Sequence, residues 1–141
     1  MKETELRIGN LVSQNGYSGL VYSIESAMPR REERVNDKVL ITLYDSGLAT
    51  VTLDQVSAVV LTEEWLFKFG FAKQDYTMSG CNIYKLGNII IMNSFVNPQR
   101  ESMGITIEGI SPPTWSLKDL RFVHQLQNMY FALTGKELTL N

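Results

Sequence analysis

The sequence predicts an α+β protein in two parts: a small β-barrel over residues 1–61 and an α+β lobe over residues 62–141 that ends in an amphipathic helix. Three observations lead there. Up to Leu61 the apolar residues come in short alternating runs with no helical period. At Leu61 the pattern switches to a helix start, Thr62-Glu63-Glu64-Trp65-Leu66. From Phe122 onward the apolar residues fall on one helical face.

The first part is read as five strands. Residues 8–12 form a short apolar strand with Gly9 and Asn10 inside it, a sign of a bend or bulge. Asn15-Gly16 is a hairpin signal, and residues 20–24 return as a second strand. Residues 25–37 carry Pro29 and the mixed charges Arg30, Arg31, Glu32, Glu33 and Arg34, which read as a polar loop. Residues 39–44 alternate Val39, Ile41 and Leu43 against Leu40, Thr42 and Tyr44. Asp45-Ser46-Gly47 suits a three-residue hairpin, and the return strand sets Ala49, Val51 and Leu53 on its inner face. A turn at Asp54-Gln55 leads to a last strand over residues 58–61. Sheets this small hide their edges by closing. The opening Leu6-Arg7-Ile8-Gly9-Asn10-Leu11-Val12 also resembles the first strand of SH3-like barrels, where a glycine permits sharp curvature.

The second part is read as α-β-β-β-α. Thr62 is a candidate N-cap, and Glu63 and Glu64 place negative charge in the first turn. Leu61 and Leu66 have hydrophobic-staple spacing, and Gly70 suits a left-handed C-terminal position. Residues 82–86 and 89–95 flank the turn signal Gly87-Asn88, and residues 103–110 supply a third strand. Pro112-Pro113 interrupts regular structure. Ser116 and Asp119 have capping-box spacing ahead of the final helix. On a wheel of about 100° per residue, Phe122, Val123, Leu126, Met129, Tyr130 and Leu133 share an arc of about 120°. Gly135 ends the helix. Both helices are expected on one face of the antiparallel sheet.

Composition narrows the function. The chain holds 13 basic and 15 acidic residues, a net charge of −2. Residues 1–61 carry 6 basic and 8 acidic side chains and residues 62–141 carry 7 of each, so neither part is a basic arm. A general nucleic-acid binder needs many phosphate contacts, so nucleic acid is not the favoured partner. Cys81 is the single cysteine, which excludes an intrachain disulfide and a cysteine zinc cluster. The N-terminus has acids where a signal peptide is apolar, and no apolar run approaches bilayer length. The expected setting is the cytoplasm, with no membrane partner.

Few residues invite a chemical role. His124 is the single histidine; it reads either as a general base or ligand, or as a structural histidine bonded to a neighbour, and the second is favoured. A Cys81–His124 pair is arithmetically open, but Cys81 lies in a loop or strand edge rather than at a helix N-terminus that would activate its thiol, so a small buried hydrophobe is the better reading. Glu63-Glu64 have a structural task, and Glu32-Glu33 sit among arginines. No phosphate-binding glycine pattern occurs. No cofactor, metal or catalytic residue is therefore expected, and the chain is read as non-enzymatic. Arg30, Arg31 and Arg34 near Tyr17, Tyr22 and Tyr44 would give a modest nucleic-acid surface on the barrel, the alternative reading. A second seam on the final helix, Leu120, His124, Gln127 and Phe131, is the candidate interaction surface. Residues 122–135 contain no charge, which suits a helix covered on more than one side, either by the same chain or by a second one.

Three segments, Glu5-Leu6-Arg7-Ile8-Gly9-Asn10-Leu11-Val12, Leu61-Thr62-Glu63-Glu64-Trp65-Leu66-Phe67-Lys68-Phe69-Gly70-Phe71, and the run from Phe122 through Leu138, go beyond generic patterning. Together they resemble a group of small uncharacterised proteins of gut-type Gram-negative bacteria, often associated with prophages and mobile elements. That group has no assigned activity, so no site residue carries over. The resemblance implies a bacterial, cytoplasmic, phage-related accessory protein. The function expected is an interaction or adaptor module with a protein partner or a second copy of itself.

Overall fold

The computed structural model describes residues 6–26, 39–44, 48–78, 80–93, 104–108 and 120–141. The chain is α+β with antiparallel sheets and divides into two compact units, residues 1–60 with 122–137, and residues 61–121 with 138–141.

In the first unit five strands form one sheet: β1 Leu11–Gln14, β2 Tyr17–Ser26, β3 Val39–Tyr44, β4 Leu48–Thr52 and β5 Ser57–Ala58. Their order is β4-β3-β2-β1-β5. Asn15, at φ 50°, and Gly16, at φ 86°, form the two-residue turn between β1 and β2, the left-handed pair that an Asn-Gly hairpin uses. A 3-10 turn, Leu53–Gln55, precedes β5, and Thr52 N–H donates to Gln55 Oε1 at 3.0 Å. Among the described residues no ladder joins β4 to β5, so the sheet is open there. The Asp45-Ser46-Gly47 hairpin and the Arg30–Arg34 loop lie outside the described residues.

The core of this unit is Leu6, Val12, Val21, Val51 and Val56, with Ile24 and Leu53 packed on it. Val21 and Ile24 are three residues apart, a spacing that a regular strand would send to opposite faces. A bulge resolves this. Val21 pairs with Leu43 and Ser23 with Thr42, so Tyr22 is an extra residue without a cross-strand partner. The phase of β2 shifts by one, and both apolar residues reach the core.

The second unit contains α1 Glu63–Lys68 and a sheet of β6 Ala72–Met78, β7 Cys81–Leu86, β8 Ile89–Asn93 and β9 Gly104–Ile107, in that order. Helix α1 ends as expected. Gly70 adopts φ 83°, Gly70 N–H bonds Phe67 O and Phe71 N–H bonds Leu66 O, both at 2.9 Å, the double bond of a Schellman close. The Thr62 side chain makes no capping bond, although its backbone holds the N-cap position. Leu66, Phe69, Phe71, Ile83, Tyr84, Ile89 and Ile91 are all buried.

Three expectations need correction. The sheet of the second unit has four strands, not three: β6 precedes the three that the sequence predicts. Its sequence, Ala-Lys-Gln-Asp-Tyr-Thr-Met, lacks apolar alternation since it is an edge strand exposed nearly throughout. The order is α-β-β-β-β, and the final helix α2, Val123–Thr134, is not part of this lobe: it belongs with the N-terminal strands, where Gln127 bonds the backbone of Leu11 in β1 and of Gly9 just before it. The helix also does not start near Ser116. Phe122 is extended, at φ −125° and ψ 150°, in a β-bridge with Val60, and Val123 N–H donates to Val59 O at 2.9 Å. Pairing with the chain after β5 holds Phe122 out of the helix. Gln125 Oε1 accepts the Phe122 N–H at 3.1 Å, and the Ser116–Asp119 box lies outside the described residues. At the other end Gly135 takes φ 68° and bonds Phe131 O, as its residue type predicts.

Candidate functional site

The predicted seam, Leu120, His124, Gln127 and Phe131, is not one stripe. Leu120 precedes the helix, is not helical, is buried, and belongs to the second unit. The other three lie on α2 in the first unit and have distinct surroundings.

Gln127 is buried, and its amide acts as one more peptide group beside β1. Leu11 N–H donates to Gln127 Oε1 at 2.8 Å, and Gln127 Nε2 donates to Gly9 O at 3.1 Å. A neighbouring strand would satisfy those two backbone groups in the same way. Strand β5 is too short to do so, since it pairs only with Val12 and Ser13. At the next position of the helix, Asn128 Oδ1 accepts from Asn10 Nδ2 at 2.9 Å and from Arg7 Nη1 at 3.4 Å. Asn10 Oδ1 in turn accepts the Arg7 N–H at 2.7 Å. Arg7 lies with its guanidinium 3.9 Å from the centre of the Phe131 ring and donates from Nη2 to Glu137 Oε1 at 2.7 Å. So Phe131 is half covered, 38% exposed, by an arginine of the same chain. His124 is fully buried and stacks on Phe122, with ring centroids 5.8 Å apart and planes 10° from parallel. These contacts describe a docking surface for α2 on its own unit.

A second polar cluster pins α1 to its sheet. Tyr84, on β7, is buried, and its hydroxyl donates to Glu63 Oε1 at 2.6 Å. Lys73 Nζ, on β6, donates to the same oxygen at 2.9 Å. The Tyr84 hydroxyl bond, then the Lys73 bond, hold the Glu63 carboxyl below its ordinary range. Burial, then the Glu63 bond, push Tyr84 far above its ordinary range, which makes it a poor nucleophile or general base.

The sign of the Glu63 shift sets a pH dependence. A depressed folded-state value contributes stability above the unfolded carboxylate pKa, and this is lost as pH falls through the folded value. We expect Glu63→Gln to lower the melting temperature at neutral pH and to differ less from the native protein as pH falls through the carboxylate range. Melting curves recorded against pH that run parallel for the two proteins would refute the linkage.

Cys81 is a buried free thiol at the first position of β7. Among the described residues no three His, Cys, Asp or Glu side chains come together as a metal site. Among them, too, no helix is long and apolar enough to cross a membrane.

What sequence reasoning missed is the exposed aromatic and aliphatic side chains of β2. Tyr22, the bulged residue, is 62% exposed, and Leu20, two residues before it, is 40% exposed. Gly9 N–H bonds Val21 O at 2.7 Å, and Ile8, the residue before Gly9, is 62% exposed. Register places Tyr44 opposite Leu20. Tyr17, 74% exposed, stands at the hairpin end of the same strand. No charged residue occurs between Arg7 and Glu25. No family model, curated protein or solved structure matches the chain. The signal available in the sequence was that uncharged run, since a solvent-facing sheet surface normally carries Lys, Glu or Thr at its outward positions. Arg30, Arg31 and Arg34, the basic half of the alternative surface, lie outside the described residues.

Proposed function

We propose that the protein is a non-enzymatic interaction module that docks a protein partner on its first unit, around the exposed Leu20 and Tyr22. The observation that carries this reading is the exposure of Ile8, Leu20 and Tyr22 within a stretch free of charge. Exposed aromatic and aliphatic side chains grouped on a rigid strand, with charge excluded, have the composition of an interface centre. A bulge that turns out one tyrosine without disturbing the core is a feature common beside functional surfaces. His124, Gln127, Glu63 and Tyr84, the groups with chemical capacity, are engaged in stacking or hydrogen bonds that hold elements together.

The SH3-like reading of residues 1–61 belongs to this proposal. A four-strand meander whose fifth strand returns to the far side of β1 leaves β4 and β5 as the two edges that a small barrel joins. A phage-related accessory role in a bacterial cytoplasm fits a module of this size and is proposed with it.

The test is comparative capture from bacterial extract followed by reconstitution with the purified partner. Tyr22→Glu and Leu20→Glu should each weaken the purified complex about thirtyfold or more, the loss expected of an interface hot spot. Equal affinity for native and variant proteins would exclude this face. The second reading, a nucleic-acid accessory protein, is favoured by one observation, the exposed Tyr17 and Tyr22, on which bases could stack. It predicts a salt-dependent shift of a single-stranded oligonucleotide in a gel, abolished by Tyr22→Ala.

A further inference from the structure

We infer that the C-terminal end of α1 is an acceptor site for an extended peptide segment, occupied in this chain by its own residues Leu138–Asn141. The site lies in the second unit and does not depend on the surface around Tyr22.

A helix leaves its last four carbonyls without partners inside the helix. In α1 these belong to Trp65, Leu66, Phe67 and Lys68. The residues that follow close three of them. Phe69 N–H bonds Trp65 O at 3.0 Å, Phe71 N–H bonds Leu66 O at 2.9 Å and Gly70 N–H bonds Phe67 O at 2.9 Å. The fourth is taken by a distant segment: Lys68 O accepts the backbone N–H of Asn141 at 3.0 Å. The side chain that arrives with this bond is laid on a glycine. A Cβ on residue 70 would collide with Asn141 Nδ2 and push the amide off its seat. Gly70 thus has two tasks, the left-handed turn at φ 83° and the room for the incoming residue. Three residues earlier Leu138 is 3% exposed, while Thr139 and Leu140 between the two are exposed. One main-chain bond, one buried leucine and one side chain set on a glycine are contacts by which an extended peptide is read, the bond giving affinity and the buried side chain specificity. None of them requires the segment to be joined to the same chain. The join raises its local concentration to about the millimolar range. The segment is therefore a strap that fills the site in cis, and the ligand class is an extended peptide with leucine three residues before the residue that meets Lys68.

The probe is a fluorescein-labelled peptide copying residues 136–141, titrated into the native full chain and into full-length Leu138→Asp, which releases the strap. The variant should bind the peptide about tenfold or more tighter than the native chain, because its own segment no longer competes. The same peptide with aspartate in place of the leucine should bind neither. Amide hydrogen exchange reads the strap itself. Asn141 N–H should be protected in the native chain and lose that protection in the variant, while the amides of the β7–β8 ladder keep theirs. Should the ladder lose protection in Leu138→Asp, Leu138→Ala takes its place with the same expected order of affinities. Equal peptide affinity of the native and released chains, or no binding to either, overturns the inference. So does an Asn141 amide that exchanges in the native chain as fast as in an unstructured peptide.

Discussion

Replacing Leu126 by alanine should destabilise the protein by about 2–5 kcal/mol, the usual cost of emptying a buried leucine site. Leu126 is fully buried on α2, as is Val123 three residues before it. The helix is twelve residues long, too short to persist in water on propensity alone. Its stability therefore comes from what it covers, and Leu126 is the largest aliphatic side chain it buries. The expected loss is a transfer contribution plus the cavity left by neighbours that relax only in part. Urea unfolding of the full chain, followed by circular dichroism, measures it. A change below about 0.5 kcal/mol would place Leu126 among surface substitutions and contradict its burial.

Gln127→Met should cost about 2–4 kcal/mol, although methionine has nearly the same length and is the more apolar residue. The loss arises on β1. Leu11 N–H and Gly9 C=O would each lose the side-chain partner they have in the native protein. A buried backbone group deprived of its hydrogen bond costs about 1–3 kcal/mol; the Leu11 bond is buried and the Gly9 bond partly so. Gln127→Glu supplies a second comparison. It keeps an acceptor for Leu11 N–H, loses the donor to Gly9, and places a carboxylate in a buried position, so it should be at least as damaging at neutral pH and partly recover as pH falls and the carboxyl protonates. If Gln127→Met melts with the native protein, water must reach both groups, and the amide is not what joins helix to strand.

The two variants separate two kinds of adhesion in one helix. Leu126 acts through area removed from water, which is non-directional. Gln127 acts through two bonds of fixed geometry, which set the register of α2 along β1 as well as its affinity. A helix free of charge from Phe122 to Gly135 thus finds partners within its own unit for Gln127 and in part for Phe131, while His124 is buried and stacks on Phe122.

Much of the local structure was legible in the residues. Strand β3 occupies residues 39–44 as its alternation predicts, Asn15-Gly16 and Gly87-Asn88 turn the chain, and Gly70 and Gly135 end their helices with positive φ. These features depend on neighbours a few positions apart, where propensity and steric preference act directly. The burial of Leu126 was legible for the same reason, since a helical period reports which side chains share a face. Tertiary structure alone decided the rest. Edge strand β6 has no apolar alternation because it is exposed nearly throughout, so its identity comes from pairing with β7. The start of α2 was settled by a bridge to Val60, a residue more than sixty positions away, against a capping signal close at hand. Its membership in the first unit rests on side-chain amides finding the open edge of β1, and an amphipathic pattern says only that a helix must be covered, not by what. The bulge at Tyr22 belongs to the same class. Val21 and Ile24 both needed the core, and the strand could satisfy them only by turning one uncharged tyrosine outward.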